Sequence, residues 1–498
     1  MFSFKKYNKE EYKNQDIQKH DNKIKKRNFI ASVNSRLQNW AVSYQRINAD
    51  LKTDAIQMVL RSRELAKNND FVSGYLNLMQ RNVIGETGFK LQVQALNIDN
   101  SLDSIGNSTI ERLWKEYNHK GNITLDSVET GRDLDILILR TLLIDGEVFI
   151  RKVYDDKSKF VIKYEVLDSL DVDYLYNSQN YDAQGNRVIC GIKVDKNFKP
   201  ISYFVRVSNT DYYNTGERIE ISADDIIHIY RKYFPSQVRG YTALASTILN
   251  LNQLDCYKEA EIIAARLNAC NQAFYVQNQS NGDLFEEADD EGVIATEYSP
   301  GTIRFAPQGY QIQQLQNNHP SSNFGSFVKN ILRSIANSVG ASYNKATSDY
   351  ESVNYNSLRE SALEDRSSWK ELQQFLIDNW KNIQYELFLK YALLNNLTNI
   401  PFSRYNKFLN FKFSGRTWDW VDPLKDLNAI KLKLDLKLSD PISEIEKQGK
   451  TVDEVLDRWV LWNNKIQERG LTINNEDISN MILDDVKNDN IEDLNNEE

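Results

Sequence analysis

The chain has 498 residues, too many for one hydrophobic core, and its 41% hydrophobic and 26% charged content is that of a globular protein of two to four domains. The net charge of −9 argues against broad, tight wrapping of nucleic acid, although it allows contact with DNA that slides. The 3 cysteines lack paired spacing, which argues against disulfides and zinc, so we expect a protein of a reducing cytoplasm. No apolar run approaches the roughly 18 residues of a membrane span, so we expect no membrane contact.

The two ends of the chain carry opposite charges. Residues 1–39 hold more lysine and arginine than acid, whereas residues 476–498 are acidic, with Lys487 as their one cation. Charge runs of this kind are typical of solvated segments. We therefore expect a basic N-terminal arm and an acidic tail, neither with a partner of its own.

Residues 40–238 are predicted to form an α+β domain, with helices first and an antiparallel sheet after them. Apolar spacing predicts a helical stretch over 48–81, broken at Asn68-Asn69-Asp70, and two more helices near 110–117 and 134–143. Asp145-Gly146 is a hairpin signal. Strand-like spacing covers the ranges 83–95, 147–154, 160–167, 188–194, 201–207 and 225–230.

Residues 239–270 differ in character. Within them, Tyr241–Cys270 is predicted to be one helix of about 30 residues, roughly 45 Å long, because it lacks proline and internal glycine and is rich in alanine. Its charged side chains are too many for a helix buried within one subunit, so we expect them to face copies of the same chain. These candidate interface residues are Asp255, Lys258, Glu259, Glu261 and Arg266.

Residues 271–320 are predicted to be a small mixed insertion, with strands near 273–276 and 302–305 around an acidic segment. A helix within 321–341 follows. Its apolar residues recur at helical spacing from Phe324 to Val339, and Gly340 suits its end. The side chains that can cap its start are those of Ser321, Ser322 and Asn323.

A polar loop, residues 342–355, separates that helix from a long one. The loop contains almost no aliphatic side chain and cannot fold alone, whereas residues 356–395 carry a helical apolar stripe that Asn354 or Asn356 can cap. A helix connection needs only about 2–8 residues. We therefore expect this longer loop to contact something.

The C-terminal part is predicted to be helical. Residues 406–413 read as a strand and belong to a region, 356–435, that returns to the first domain. Over 430–438 the alternation of apolar and charged residues is strand-like, but Asp422-Pro423 is a good helix start and Leu, Lys and Asp are not strand-enriched, so we predict a helix. Residues 436–475 are predicted to be a small helical domain, with helices beginning near Pro441 and Thr451.

The sequence offers no complete catalytic or metal motif. Four histidines form no metal pattern, and His228 is expected to be structural. Gly449-Lys450-Thr451 resembles the end of a phosphate loop, but Glu444 stands where the first glycine is required. We predict no enzyme activity, no cofactor and no metal. Two aspartate pairs could be metal ligands, although surface or helix-capping roles are favoured: Asp133 with Asp135, and Asp171 with Asp173.

Several short segments occur in a specific order. They are Arg61-Ser-Arg-Glu-Leu-Ala-Lys-Asn-Asn69, Asn82-Val-Ile-Gly85, Leu143-Ile-Asp-Gly-Glu-Val-Phe149, Asp225-Ile-Ile-His228, Arg239-Gly-Tyr-Thr-Ala-Leu-Ala245, Leu254-Asp-Cys-Tyr257, Ala260-Glu-Ile-Ile-Ala-Ala265, Pro300-Gly301, Gly340-Ala-Ser-Tyr343, Asp349, Asn354-Tyr-Asn-Ser357, Arg359 and Val421-Asp-Pro-Leu-Lys425. Together they resemble the lambda-type family of tailed-bacteriophage portal proteins, from about Trp40 to Leu471. The chain departs from that family at Thr87-Gly88-Phe89, where a compact glycine-rich turn is usual, and at Asn356, where serine is usual.

The resemblance implies a phage portal fold and a ring, usually of twelve subunits, that forms a DNA channel at one capsid vertex. It assigns 40–238 to a wing, 239–270 and 321–341 to a two-helix stem, 271–320 to a clip, 342–355 to a tunnel loop, 356–435 to a long helix that returns to the wing, and 436–475 to a crown. The implied partners are double-stranded DNA, the terminase large subunit, the major capsid protein with its scaffold, and head-completion connectors. The implied location is the virion, after assembly in the host cytoplasm.

The tunnel loop is the candidate DNA-contact site. A packaging channel needs brief contact without capture, so mostly neutral or acidic walls are expected, and Lys345 is the loop's one cation. The candidate channel residues are Asn344, Lys345, Thr347, Ser348, Asp349, Tyr350, Glu351 and Ser352.

Two alternatives remain open. A DNA-processing enzyme, such as a nuclease with an aspartate-based metal site, would need clustered carboxylates beside a basic DNA face, and the sequence offers neither. A ring-forming adaptor of an encapsulating element that is not a phage fits the same sequence.

Overall fold

The structure, a computed structural model, describes residues 45–99, 101–178, 180–206, 217–269, 273–277, 310–314, 323–351, 353–418, 423–447 and 452–468. The predicted basic arm, the acidic tail and most of the 271–320 insertion lie outside these residues, so those predictions stay as they are.

Two helices open the described part of the chain. Helix α1 (Ile47–Asn68) and helix α2 (Asp70–Met79) are separated at Asn69, as predicted. The Asn69 side chain accepts a hydrogen bond from the Val72 backbone N–H and so caps α2. A π-helical turn (Gln80–Ile84) extends α2 to Gly85, and only then does strand β1 (Lys90–Val93) begin.

Helices α3 (Ser104–Tyr117) and α4 (Gly131–Asp145) confirm the two helices predicted near 110–117 and 134–143. Thr130 and Asp133 form a reciprocal capping box at the start of α4. The predicted hairpin at Asp145-Gly146 is wrong. Gly146 has φ of 90° and ends α4 in the left-handed conformation, and strand β2 (Glu147–Tyr154) follows directly.

The strands after α4 form two antiparallel sheets. Strand β2 lies between β3 (Ile162–Leu167) and β8 (Ile226–Tyr230). Four further strands form a sheet in chain order: β4 (Arg187–Ile189), β5 (Ile192–Val194), β6 (Pro200–Arg206) and β7 (Arg218–Ser222). The single strand predicted over 188–194 is therefore two strands, because Cys190 and Gly191, both with positive φ, turn the chain between them. The mixed helix-and-strand class is confirmed.

Helix α5 (Ile248–Ala269) begins later than the predicted Tyr241. Residues 241–247 form turns instead, because their polar groups bond to the end of α4. The Ala243 backbone N–H donates to the Leu143 carbonyl oxygen at 3.2 Å, and the Thr242 hydroxyl donates to the same oxygen at 3.3 Å. Strands β9 (Ala273–Gln277) and β10 (Tyr310–Gln314) pair antiparallel; β9 matches the strand predicted near 273, and the one predicted near 302 lies outside the described residues.

The second half of the described chain contains helix α6 (Phe324–Ser338), a one-turn helix α7 (Tyr343–Thr347) and the long helix. The long helix consists of α8 (Tyr355–Leu376), a π-helical turn (Ile377–Lys381) and α9 (Asn382–Leu394). The strand predicted over 406–413 is mostly wrong. Residues Phe402–Leu409 form a 3₁₀ helix, and only β11 (Phe411–Ser414) is a strand, paired with β1.

The C-terminal part is helical, as predicted, including most of the stretch with strand-like alternation. Helix α10 (Pro423–Asp435) covers most of that stretch, and α11 (Pro441–Lys447) and α12 (Val452–Glu468) follow.

The main core lies between α2, α3, α4 and the long helix. Its centre is an aromatic cluster in which Trp114 packs edge-on against Phe388 at a centroid distance of 5.1 Å and Tyr117 stacks on Phe388 at 5.0 Å. The pairing of β1 with β11 joins the C-terminal return of the chain to this core. The loop and the charged contacts described next are thus held on well-packed helices.

Candidate functional site

The polar loop, predicted over 342–355, joins α6 to α8 and ends at residue 354, because α8 begins at Tyr355. Gly340, with φ of 71°, ends the preceding helix in the left-handed conformation, as predicted. Asn354 caps α8 by accepting from the Ser357 backbone N–H at 2.8 Å, which settles the alternative between Asn354 and Asn356. The predicted cap of α6 by the Asn323 side chain is wrong, because that side chain makes no capping bond; Ser321 and Ser322 lie outside the described residues.

The first half of the polar loop is anchored to α8 through Asp365. This buried carboxylate accepts from the Ser342 backbone N–H at 2.9 Å and from the Ser342 hydroxyl at 2.6 Å. The Lys345 ammonium lies 3.4 Å from the same carboxylate and 4.8 Å from the centre of the Trp369 ring. Burial lowers the pKa of Lys345, and Asp365 opposes that shift. The loop's one cation is therefore half-buried and neutralised within its own subunit.

The second half of the loop is anchored to α6 through Lys329. Its ammonium lies 2.9 Å from Asp349 and 3.2 Å from Glu351, and the Tyr343 hydroxyl donates to Asp349 at 2.8 Å. The hydrogen bond from Lys329, followed by that from Tyr343, lowers the pKa of Asp349 to about 2. Asp349 therefore stays charged at any physiological pH.

These anchors decide which loop residues reach solvent. Ser348, Tyr350 and Glu351 are exposed, the Tyr350 residue at 52% and the Glu351 side chain at 79%. Asn344 and Thr347 are half-buried, and the Thr347 hydroxyl donates to the Tyr343 carbonyl oxygen at 2.8 Å. Ser352 lies outside the described residues. The prediction that the loop cannot fold alone agrees with its dependence on Asp365 and Lys329, and whether its residues line a channel stays a prediction.

Helix α2 lies against the loop. The Tyr75 hydroxyl donates to the Val339 carbonyl oxygen at 3.2 Å, and a side chain at Gly74 would meet the Ala346 carbonyl oxygen at 3.9 Å. The loop is thus supported on three sides, by α2, α6 and α8.

The charged residues predicted to lie between subunits on α5 divide into two groups. Glu259 and Arg266 are exposed, as an interface role requires. Asp255 instead accepts from the Asn69 side chain at 2.6 Å, and Lys258 lies 3.3 Å from Asp70. Glu261 is buried within the subunit. The start of α2 thus supplies polar partners within the subunit for Asp255 and Lys258, and whether any of the five residues lies between subunits stays a prediction.

Helices α5 and α6 pack together and leave apolar surface exposed. The Tyr257 ring lies 5.5 Å from the rings of both Phe324 and Phe327. A groove of about 710 Å³ runs between the two helices, and Ile262 and Ile263 are 53% and 48% exposed. These apolar side chains are better candidates for contact with another copy than the charges that the sequence indicated.

A buried charge cluster that the sequence analysis did not assign joins α5 to the sheets. The Arg239 guanidinium contacts the Glu147 carboxylate at 2.6 Å, and both side chains are fully buried. Arg239 also donates to the backbone carbonyl oxygens of Ser169, Val172 and Cys190 at 2.7 to 3.0 Å.

The Glu147 carboxylate collects further donors. It accepts from the Gly240 backbone N–H at 2.9 Å and from the Tyr174 hydroxyl at 2.6 Å, and it lies 3.1 Å from His228 Nε2. Burial alone would raise the pKa of Glu147, but the charge of Arg239 and the bond from His228 outweigh it and lower the pKa to about 2. Burial lowers the pKa of His228, so this histidine is neutral and structural, as predicted.

Four of the short segments that carried the family resemblance meet at this cluster, those at 61–69, 143–149, 225–228 and 239–245. A side chain at Gly146 would lie 1.9 Å from the Tyr241 backbone, and one at Gly240 would lie 2.2 Å from the Gly146 carbonyl oxygen, so the two glycines let these segments cross. Arg63 pairs with Asp145 at 2.5 Å and with Asp168 at 2.7 Å. The order of these short segments along the chain was the signal that the sequence offered for this cluster, but the sequence alone does not show that the segments touch.

The aspartates weighed as metal ligands have other roles. Asp133 caps α4, as favoured, but Asp135 is buried against Lys381 at 3.2 Å, and Asp173 is buried against Arg206 and Arg218. The predicted surface or capping role is therefore wrong for Asp135. Asp173 is buried rather than on the surface, although its side chain also accepts from the Leu175 backbone N–H. In the described part of the chain, no three His, Cys, Asp or Glu residues are grouped as metal ligands would be, and no helix is long and apolar enough to cross a membrane.

Comparison with known proteins gives a consistent result. Residues 34–373 match a family model described as phage portal protein, lambda family. A probable portal protein of Halomonas phage phiHAP-1 is 30% identical over 404 residues, which cover 79% of this chain and 77% of the relative. Portal protein B of Escherichia phage lambda is 19% identical over 464 residues, covering 84% of this chain and 86% of that protein.

Among solved structures, a chain from the virion of a native gene transfer agent particle is similar. Its TM-score is 0.42 at 11% sequence identity, and the match covers 83% of this chain and 96% of that one. A chain from the neck of the native particle matches with the same TM-score and covers 80% of this chain and 94% of that one. Likeness at this level carries no structural inference.

Proposed function

The chain belongs to the lambda family of phage portal proteins, and we propose that its copies assemble into a ring whose central channel passes double-stranded DNA at one capsid vertex. A separate terminase motor drives the DNA in during packaging, and the DNA leaves by the same channel during infection. In this proposal the sheets and the long helix form the wing, α5 and α6 the stem, the paired strands β9 and β10 part of the clip, and α11 and α12 the crown. We expect twelve copies.

The observation that carries the channel proposal is the charge balance of the polar loop. Its cation Lys345 is paired with Asp365, and Lys329 is paired with Asp349 and Glu351. A free cation on a channel wall would bind phosphate and slow the DNA, because each neutralised phosphate adds affinity. The exposed tip, Ser348, Tyr350 and Glu351, is polar or acidic and suits a wall along which a polyanion slides. We therefore propose that Ser348, Tyr350 and Glu351, rather than Lys345, contact the DNA.

The other partners follow from family membership. We propose that the ring binds the terminase large subunit, is seated in the shell by the major capsid protein and its scaffold, and later receives head-completion proteins. The proposed location is the portal vertex of the virion, after assembly in the host cytoplasm.

The chain is proposed to act as a conduit, without a catalytic step or cofactor of its own. Three fully buried carboxylates are committed to ion pairs: Glu147 to Arg239, Asp135 to Lys381 and Asp173 to two arginines. A nuclease would need such carboxylates free to hold a metal.

The test replaces Ser348–Glu351 with a Gly-Ser bridge. Because this removes both partners of Lys329, the variant also carries Lys329→Gln, and Lys329→Gln alone is its matched control. We expect intact rings and less DNA packaged or retained per capsid than in the control, measured as the DNA-to-protein ratio of purified particles. If the bridged variant fills and holds capsids as the control does, the loop has no role in DNA passage.

A further inference from the structure

Four arginines meet at residues 77–85, the end of α2 and the π-helical turn after it: Arg81 belongs to this segment, Arg132 and Arg140 lie on α4, and Arg416 follows β11. We refer to them as the arginine patch. Two of them bond Asn77: Arg81 Nε donates to its carbonyl oxygen at 3.2 Å, and Arg140 Nη1 donates to its side-chain oxygen at 3.3 Å. The other two bond the backbone further along, Arg132 to the Gly85 carbonyl oxygen at 3.0 Å and Arg416 to the Arg81 carbonyl oxygen.

The anchors of the arginine patch orient its charge without neutralising it. All four acceptors are neutral oxygens. Within the described residues, Arg81, Arg140 and Arg416 form no ion pair, and Arg132 lies 3.9 Å from Asp133, a carboxylate already engaged in the capping box of α4. Glu86 is exposed beside the segment and forms no ion pair with it. Four like charges held on one short segment repel one another unless an anion joins them.

We propose that the arginine patch binds double-stranded DNA through its phosphates, at a site separate from the polar loop. Arg81 is anchored through Nε, which leaves both Nη groups of its guanidinium available, whereas Arg132 is anchored through Nε and also has Nη1 3.9 Å from Asp133. The fork of Arg81 matches two oxygens of a phosphate, and arginine prefers such bidentate contacts. Backbone-anchored contacts of this kind position a duplex without reading its sequence.

The spacing of the charges favours DNA over an acidic protein. The segment from Asn77 to Gly85 is about 12 Å long at about 1.5 Å per residue. A duplex presents one negative charge per about 1.7 Å of its axis, so every arginine of the patch can meet a phosphate at once. Protein carboxylates at that density repel each other and are rare outside acidic tails. The acidic tail of this chain, residues 476–498, is therefore the competing occupant that a test must exclude.

This proposal rests on the proposed function, which brings the ring and DNA together, but its test does not need packaging. The full-length protein, in its assembled form, is titrated into a fluorescent 24-base-pair duplex at several salt concentrations. The patch variant is Arg81→Gln with Arg140→Gln, chosen because Arg81 is exposed and Arg140 is partly so. The matched control is Arg112→Gln with Lys115→Gln, which removes the same charge from the exposed face of α3.

We expect the patch variant to bind the duplex at least about tenfold more weakly than the parent at 0.1 M salt. The slope of log affinity against log salt should become shallower by about 2 for each subunit that contacts the duplex. The control should keep the parental slope. Arg81→Lys with Arg140→Lys retains the charge and should restore most of the affinity, which separates loss of charge from loss of structure.

Three results would overturn the proposal. One is a patch variant that keeps the parental slope. Another is loss of the whole salt dependence in the bridged loop variant, which would place all DNA contact at the loop. The third is a peptide of residues 476–498 that binds the control but not the patch variant and, at saturation, leaves the duplex bound to the parent. The patch would then be an acidic-peptide site, and the duplex would bind elsewhere. If instead the patch binds DNA and the bridged loop variant still fills capsids normally, this inference stands and the channel-loop proposal fails.

Discussion

Glu147 and Arg239 are charged, fully buried and far apart along the chain, and their pairing joins the start of β2 to the segment that leads into α5. A buried ion pair adds little net stability over apolar residues, because desolvation offsets the attraction between the charges. Its effect is specificity: the carboxylate is satisfied only when Gly240, Tyr174 and His228 all reach it. The pair therefore fixes one way in which α5 can leave the sheets.

Removing one partner of this pair should be severe. Arg239→Ala leaves the Glu147 charge buried and three carbonyl oxygens without their donor. We expect a loss of about 3–5 kcal/mol in the free energy of unfolding, measured from urea denaturation. Arg112→Ala, on the exposed face of α3, should change stability by less than about 0.5 kcal/mol. Equal effects of the two substitutions would show that the buried pair is not the joint described above.

The same carboxylate gives stability a pH dependence. The pKa of Glu147 is lowered from 4.5 to about 2, so its contribution is complete above about pH 4.5 and is lost as the pH falls towards 2. The full loss corresponds to at most about 3 kcal/mol. His228 acts in the same direction at higher pH, because its pKa is lowered and unfolding lets it take up a proton below about 6.5. Glu147→Gln should be less stable at pH 7 and should show a flatter urea midpoint between pH 4.5 and 3; parallel curves for the two proteins would contradict this assignment.

At the scale of elements, the polar loop shows how a segment without a core of its own acquires one conformation. Asp365 on α8 and Lys329 on α6 each bind two of its groups, so the flanking helices determine its path. Its exposed tip is small and its charges are balanced. A loop held in this way can present the same surface in every subunit of a ring.

Asp365→Ala should release the first half of the loop. The substitution removes the acceptor of both Ser342 bonds and the partner of Lys345. Loss of hydrogen bonds to a charged group is worth about 1.5–3 kcal/mol, so amide hydrogen exchange over 342–347 should accelerate by at least about tenfold. Glu364→Ala, at the exposed neighbouring position on α8, should leave exchange unchanged. Unchanged protection in the Asp365→Ala protein would mean that the carboxylate does not hold the loop.

The sequence predicts elements well where local signals agree. Asn69 caps α2 and Gly340 ends α6 at the positions that their residue types indicate, and the proline at 423 outweighs a misleading alternation. Prediction from the sequence fails where a tertiary contact decides the conformation of a segment. Residues 241–247 are helix-favouring, yet their N–H and hydroxyl groups bond to the end of α4, and Asp145-Gly146 suits a hairpin but ends a helix.

In the candidate site, too, some features follow from local sequence and others depend on tertiary contacts. The position and polarity of the loop follow from the sequence, because a polar stretch between two apolar stripes must be a loop. Which of its residues reach solvent depends on Asp365 and Lys329, which lie outside it and which no local pattern connects to it. For the same reason Lys345 looks like a free cation in the sequence and is a paired one in the structure.

At the scale of the whole molecule, the chain is acidic overall but distributes its charge unevenly. The net charge of −9 disfavours general DNA binding, and Lys345 of the loop is paired with Asp365 while Lys329 on α6 is paired with Asp349 and Glu351. The arginine patch instead concentrates positive charge on one short segment. For a protein through which DNA must pass, such a distribution limits binding to a few places. We propose the exposed apolar side chains of α5 and α6 as the surface for contact between copies.

The last prediction concerns that contact. Ile262 and Ile263 lie half-exposed on α5, and burying the exposed half of each side chain stabilises an interface by roughly 0.8–1.5 kcal/mol each. The parent protein at micromolar concentration should scatter light as a particle many times the mass of the 57.9 kDa chain, and negative-stain images should show a ring with a central hole. Ile262→Glu with Ile263→Glu should shift the protein towards monomers and small oligomers, because two carboxylates per subunit would be forced into the interface. Ile105→Glu, at a more exposed isoleucine on α3, should leave the ring intact. A parent that stays monomeric across salt and concentration would remove the basis of the ring, whereas an intact ring in the Ile262→Glu, Ile263→Glu protein would place the contact between copies elsewhere on the molecule.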